Sequence, residues 1–120
     1  MTTARNVVIV GAGAAGLFLA DSLAAEGVAV TLLNRDLRPG GLVEYGIYPS
    51  KHRLKGGIRR QFIKALSRDG VDYLGGVTVG EGRDLSLADI EACGADAVII
   101  AAGAQGTRWL GLEGERRPGI

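Results

Sequence analysis

The sequence is poor in the residues that build metal centres and redox pairs. It has one cysteine, Cys93, and one histidine, His52. A single thiol forms neither an internal disulfide nor a dithiol pair, and the two residues together fall short of a four-ligand structural zinc site. One Trp, three Tyr and two Phe leave little on which single-stranded nucleic acid can stack. Fourteen Lys and Arg against thirteen Asp and Glu give a net charge of +1, without the basic excess of a dedicated nucleic-acid binder. Three prolines and no G-X-Y period exclude collagen, and a hydrophobic content of 47% excludes disorder. The longest uncharged apolar run, VVIVGAGAAGLFLA at 7–20, is shorter than the ~18 residues that span a bilayer. Behind Arg5 and ahead of Ser22-Leu23-Ala24 it imitates a signal peptide, but its glycine spacing assigns it to folded structure. The expectation is a cytoplasmic protein with no membrane, nucleic-acid or metal partner.

What is abundant is glycine. Twenty of 120 residues are more than twice the usual ~7%, and glycine is costly wherever the chain neither turns sharply nor approaches something closely. The length suits one domain. Residues 6–10 form a short β-branched run; Gly11-Ala12-Gly13-Ala14-Ala15-Gly16 follows, and Leu17, Phe18, Ala20, Leu23 and Ala24 then keep helical spacing up to Gly27, which sits at a C-cap position. VAVTLL at 28–33 restarts as a buried strand and completes a β-α-β unit. Residues 34–55 read as a long polar loop. A helix is expected over 57–68 and an extended segment over 71–79 (VDYLGGVTV), interrupted at Gly75-Gly76. Ser86-Leu87-Ala88-Asp89 has capping-box spacing and opens a short helix to about Ala92, and residues 97–101 form the last strand. The alternation predicts an α/β fold: a Rossmann-like, doubly wound parallel sheet of order 3-2-1-4 with helices on both faces, spanning 1–104. Residues 105–120 lack periodicity and read as an exit linker.

The strongest motif is Gly11-x-Gly13-x-x-Gly16, placed directly after a strand and opening a helix. In that context Gly11 permits the tight turn, Gly13 lets backbone approach a pyrophosphate, and Gly16 allows close helix packing. The helix N-terminus, with the amides around Ala12, Ala14 and Ala15, then offers donors to phosphate. The position where an acid should meet adenosine ribose hydroxyls holds Asn34, followed by Arg35. Asparagine bonds a hydroxyl without charge assistance, and Arg35 keeps open a site for a 2'-phosphate.

Three stretches, VVIVGAGAAGL (7–17), RPGGLVEYGIYPSKHRLK (38–55) and DAVIIAAGA (96–104) followed by LGLEGERRPGI, make the chain resemble the FAD-binding domain of the adrenodoxin-reductase-like ferredoxin-NADP reductases and the related glutamate synthase small subunit. The second stretch is the most specific. The resemblance implies FAD with its pyrophosphate on the first glycine loop and its flavin end beside Gly40, Gly41, Leu42 and Tyr45, with Gly103 meeting the cofactor again. Departures are Asn34 for the family's Glu, Glu44 for its common Arg, Ala102 in an Ala-Thr-Gly turn, and Ser50-Lys51 in place of Asp-His, with His52 displaced; no proton-transfer role is assigned to His52.

The implied parent is an FAD-dependent oxidoreductase using NADPH, bound by a further domain that this chain lacks, and passing electrons to a ferredoxin-like carrier or a glutamate-synthase-type subunit. The family returns to its FAD domain after the NADP-binding domain, so the chain is expected to be the first half of that domain and not to turn over alone. No acid, base or nucleophile is assigned, because in flavin enzymes the cofactor carries the chemistry and the protein positions it. The alternatives are a flavin-free NAD(P)-binding docking module and a self-associating fragment. Lys51, Arg53, Lys55, Arg59, Arg60 and Lys64, with no acid between Glu44 and Asp69, read either as a solvated helix face or as a patch steering an acidic electron carrier. Cys93 is expected to be a small buried or half-buried residue.

Overall fold

The computed structural model describes residues 5–104, 106 and 108–119. Gln105, Thr107 and Ile120 of the expected linker lie outside the described residues. Four parallel strands, β1 (Asn6–Val10), β2 (Ala29–Asn34), β3 (Val71–Gly75) and β4 (Ala97–Ile100), form one sheet in the order β3-β2-β1-β4, as the β-α-β alternation predicts. The register pairs Val10 with both Leu33 and Ile100, and Leu33 with Leu74. All four strands therefore end at one edge of the sheet, the edge at which open α/β sheets form ligand crevices.

Side-chain alternation divides the core between the two faces. Val7, Ile9, Val30 and Leu32 point to one face, where they pack with Leu17 and Ala20 of α1 (Ala14–Ala25) and Phe62 of the third helix. Val8 and Leu33 point to the other, against Ile90 of the last helix. These apolar residues on successive positions produce the near-continuous hydrophobic strands of a sheet covered on both sides. Phe18 of α1 meets Phe62 edge-on with ring centroids 5.9 Å apart, and Asp21 of α1 pairs with Arg68 just beyond the same helix. The Arg68 hydrogen bond lowers the Asp21 carboxyl below its usual range, against the opposing effect of burial.

The connection expected to be a polar loop over 34–55 contains a one-turn helix, α2 (Leu42–Tyr45), and a 3-10 turn (Pro49–Lys51) that runs into α3 (His52–Leu66). Helix α3 thus starts at His52, exposed at its first position, and passes through Gly56 and Gly57. Those two glycines made the N-terminal half look like loop; packing of Ile58, Phe62 and Leu66 against the core overrides their low propensity. A Cβ at Gly57 would meet only Arg60 Nη2, at 3.9 Å, so no close approach requires glycine there. Gly57→Ala is expected to raise stability by roughly 0.5–1 kcal/mol through helix propensity and lower unfolded-chain entropy, read from the urea midpoint.

Strand β3 ends at the expected interruption. It stops at Gly75, Gly76 takes φ +76°, and 77–79 turn toward the strand-end crevice. Val79 bridges to Leu85. Helix α4 (Leu87–Ala92) follows with the anticipated capping box: Asp89 N donates to Ser86 Oγ (3.2 Å) and Ser86 N donates to Asp89 Oδ2 (2.8 Å). Cys93, expected at least half-buried, is exposed at the C-cap of α4; the helix ends there and turns the residue outward. Among the described residues no helix is long and apolar enough to cross a membrane.

Candidate functional site

A cleft of about 680 Å³ opens at the C-terminal edge of the sheet, within the usual size range of cofactor sites (~300–1,000 Å³). Of the residues singled out in the sequence, Gly11, Ala12, Gly13, Ala14, Ala15, Asn34, Arg35, Gly40, Gly41, Leu42, Tyr45 and Gly103 all line it. The lining mixes the first-turn amides of α1 and the Arg35 side chain with apolar surface from Leu42, Val43, Tyr45, Val77, Val79 and Ala104. Asp36 is its one acid, and it is paired with Arg35 at 3.5 Å.

Gly16 does not line the cleft. It is buried in α1, and a Cβ there would lie 2.0 Å from the Gly11 carbonyl oxygen and 3.4 Å from Ile9 Cγ2. It lets α1 seat on the turn, the close helix packing expected of the third glycine of the motif. Gly11 has φ +110°, and a Cβ would fall 2.4 Å from the Ala101 oxygen, so the turn and the residue that follows β4 both exclude a side chain. Gly13 differs from both: its φ is −80° and nothing lies within 4 Å of its Cβ position. The space above it is open cleft.

The glycine loop is braced from below. Gly11 N donates to Leu33 O (2.8 Å), Ala12 N donates to Asn34 Oδ1 (3.1 Å), and Ala12 O accepts from Gly40 N (2.7 Å). Ala12, with a fully buried side chain, has both of its main-chain groups engaged by the protein and serves as a strut. The donors left facing the cleft are those of the first turn of α1, which carries no side-chain cap and whose amides lack intrahelical partners.

Asn34 stands in the cleft wall and also braces it. Its Nδ2 donates to Asp36 O (2.9 Å), Arg38 O (3.3 Å) and Tyr73 Oη (3.2 Å), while its main-chain oxygen accepts from Val77 N (3.0 Å). Asn34 therefore ties together the glycine loop, the start of the β2–α2 connection, β3 and the 77–79 segment. Both amide hydrogens go to the protein, and only the second lone pair of Oδ1 remains for a hydroxyl. Tyr73, which the sequence reading did not single out, completes the bracket through its hydroxyl, near Asp36 O (3.0 Å) and Leu37 O (3.2 Å). Burial pushes its phenol above the usual range, against the Asn34 hydrogen bond. Asn34→Asp turns an acceptor toward the carbonyls of Asp36 and Arg38. It is expected to lose roughly 1–3 kcal/mol at pH 7, the cost of an unmatched polar group. Part of the loss returns at pH 4, where the protonated acid donates again: a carboxyl raised in the folded state destabilises above its unfolded pKa of about 3.9. Urea midpoints at the two pH values, each against the parent chain, check this.

The flavin-side segment named by the resemblance is a tight structure. Gly40 (φ +120°) and Gly41 (φ +52°) adopt backbone conformations that side chains rarely take, and a Cβ at Gly41 would stand 3.1 Å from Gly13 Cα. The turn thus presses on the glycine loop. Leu42 and Tyr45 are 82% and 59% exposed at the cleft mouth. Gly103 (φ +67°) has nothing within 4 Å of its Cβ position. Gly75-Gly76 marks the interruption in the sequence, but nothing there shows that 77–79 leave the sheet to line the cleft.

Comparison with known proteins agrees with this geometry. The family described as pyridine nucleotide-disulphide oxidoreductase matches residues 5–120. The glutamate synthase [NADPH] small chain of Bacillus subtilis is 39% identical over 118 residues, 98% of this chain and 23% of that protein. The NADPH-ferredoxin reductase FprA of Mycobacterium leprae is 37% identical over 122 residues, 96% of this chain and 26% of that protein. Among solved structures, the oxidoreductase FprA of Mycobacterium tuberculosis superposes with a TM-score of 0.86 at 31% identity, covering 95% of this chain and 26% of that one. The chain therefore spans about a quarter of the length of these relatives. With the family match running over 116 residues, from Arg5 to the last residue, and the strand-end cleft built on the same glycine loop, the chain belongs to the pyridine nucleotide-disulphide oxidoreductase family.

Proposed function

We propose that the cleft binds FAD and that the chain supplies the FAD-binding portion of an NADPH-dependent oxidoreductase. The observation that carries this reading is the continuity of one cleft from the open backbone at Gly13 to the apolar mouth at Leu42 and Tyr45. It pairs an anion-accepting end with a surface suited to a flat ring. The first-turn amides of α1 receive the pyrophosphate, with the helix dipole favouring its charge. Asn34 holds the wall beside the ribose and Arg35 lies at the same end. Gly40, Gly41 and Gly103 present bare backbone to the ring system, and Val77 and Val79 exclude water from one side. When bound, FAD supplies the hydride and electron transfer itself; the residues here bind, orient and desolvate.

Transfer to NADPH and to an acceptor rests on the relatives. FprA and the glutamate synthase small chain are named for NADPH, and the proposed whole protein shares that donor. A ferredoxin-like carrier or a glutamate-synthase-type subunit is the proposed acceptor. The exposed cations Lys51, Arg53, Arg60 and Lys64 are the candidate surface for an acidic carrier.

Titration of the flavin-free chain with FAD, followed by flavin fluorescence, tests the reading. Saturable binding near one equivalent is expected. Tight binding of NADPH without binding of FAD would overturn it in favour of a flavin-free dinucleotide module.

A further inference from the structure

Glu44 occupies a position where the resemblance expects arginine, and the structure gives it a distinct task. Its neighbours on α2, Val43 and Tyr45, line the cleft and Glu44 does not; its carboxylate turns toward α3. There Arg59 grips it with two hydrogen bonds, Nε to Oε2 at 2.8 Å and Nη2 to Oε1 at 2.6 Å. Lys55 Nζ and Arg38 Nη1 stand 4.0 and 3.8 Å from Oε1. Lys55 also donates to the main-chain oxygen of Glu44, so both the side chain and the backbone of this residue are tied to α3. The carboxylate is only 11% exposed, well placed for a two-pronged guanidinium pair to set geometry.

That anchorage reaches the cofactor turn directly. Glu44 N donates to Gly41 O (3.0 Å), Val43 N to Gly40 O (3.1 Å), and a Cβ at Gly40 would lie 3.2 Å from Glu44 Cβ. The Gly40-Gly41 step therefore has two supports: Ala12 O on the glycine-loop side and Glu44 on the α3 side. Besides that anchorage, Val43 of this four-residue helix packs against the core, and its N-cap Gly41 carries no side-chain hydrogen bond.

We propose that Glu44 is a positioning residue for the flavin half of the site: paired with Arg59 and Lys55, it holds the Gly40-Gly41 turn in the conformation that the isoalloxazine meets, while the adenosine diphosphate half rests mainly on the glycine loop's bonds to Leu33 and Asn34. The proposal rests on the FAD reading above. It assigns opposite consequences to two ligands. FAD uses both halves of the cleft, whereas ADP uses chiefly the glycine-loop half, which the turn braces only through Gly40 N on Ala12 O and the contact of Gly41 with Gly13.

The test compares dissociation constants of FAD and ADP for the parent chain, Glu44→Gln, Arg59→Gln and the double variant. Each single substitution is expected to weaken FAD about tenfold and ADP less than about twofold, and the double variant to be no worse than either single one, because both act on one interaction. The absorption band of bound flavin should shift toward that of free flavin in the same variants. Equal weakening of both ligands, unchanged FAD affinity, or additive losses in the double variant would each overturn the proposal. Arg59→Gln, on an exposed helix face, covers the case in which Glu44→Gln does not fold. Absence of FAD binding by the parent chain would remove the underlying reading instead, and is distinguished because it needs no variant.

Discussion

Gly16→Ala is expected to remove a large share of the stability of the fold before any question of ligand arises. The added methyl would sit 2.0 Å from the carbonyl oxygen of Gly11 and 3.1 Å from its carbon, and both are main-chain atoms of a turn pinned by Leu33 O and by its close approach to Ala101. A flexible side chain could move aside; this backbone can yield only if α1 lifts from the sheet. Leu17 and Ala20, fully buried on the next turn, would lift with it. Ordinary overpacking costs roughly 1–3 kcal/mol, and this contact is tighter than side-chain crowding, so about 3 kcal/mol or more is expected from a total of roughly 5–15. Thermal melting followed by circular dichroism should show a fall of the order of 10 °C. A melting temperature within about 2 °C of the parent chain would show that the helix and the turn are not packed as described.

The same glycine motif shows how far residue types reveal physical roles. The three glycines and the β-α-β context were legible because each local signal, β-branched run, glycine turn and helical spacing, lies within about thirty residues and reinforces the others. The order β3-β2-β1-β4 followed from the alternation of elements together with the doubly wound fold and its right-handed crossovers. What the sequence hid is mostly interaction across distance. Asn34 reads as a ribose ligand by position, and becomes a bracket because Tyr73, 39 residues away, and the carbonyls of the connection are brought around it. Glu44 reads as a departure from a family pattern, and its meaning appears only when α3 places Arg59 and Lys55 beside it. The start of α3 was hidden for the converse reason: Gly56 and Gly57 oppose the helix locally, and tertiary burial of Phe62 and Ala65 outweighs them.

The pairing around Glu44 also fixes a direction with pH. The Arg59 hydrogen bonds draw the Glu44 carboxyl below its usual range, opposed by burial and helped by the charges of Arg59, Lys55 and Arg38. A carboxyl lowered in the folded state stabilises above its unfolded pKa and loses that contribution as pH falls through the folded value. The α2–α3 tie is therefore intact at neutral pH and weakens only in acid. The same sign holds for Asp21 with Arg68 on the opposite end of α3, so both anchors of this helix loosen together on acidification.

Gly13→Ala is the counterpart of Gly16→Ala, and its expected result is the reverse: an intact fold that no longer takes the cofactor well. The φ of −80° suits alanine, and the methyl would meet no atom within 4 Å. Stability should be unchanged or should rise by up to about 1 kcal/mol, since alanine restricts the unfolded chain more than glycine does. The methyl instead occupies the space through which a pyrophosphate approaches the first turn of α1, where hydrogen bonds to a charged ligand contribute roughly 1.5–3 kcal/mol each. Loss of one such bond corresponds to about 10- to 100-fold weaker FAD binding. Thermal melting and FAD titration on the same preparation separate the two effects. If Gly13→Ala kept full FAD affinity, the phosphate would have to sit elsewhere in the cleft. If it melted as early as Gly16→Ala, the open space above Gly13 would be an incorrect description of the loop. The two substitutions add the same methyl group three residues apart in one motif, and only the direction in which each Cβ points decides whether the chain loses its fold or its ligand.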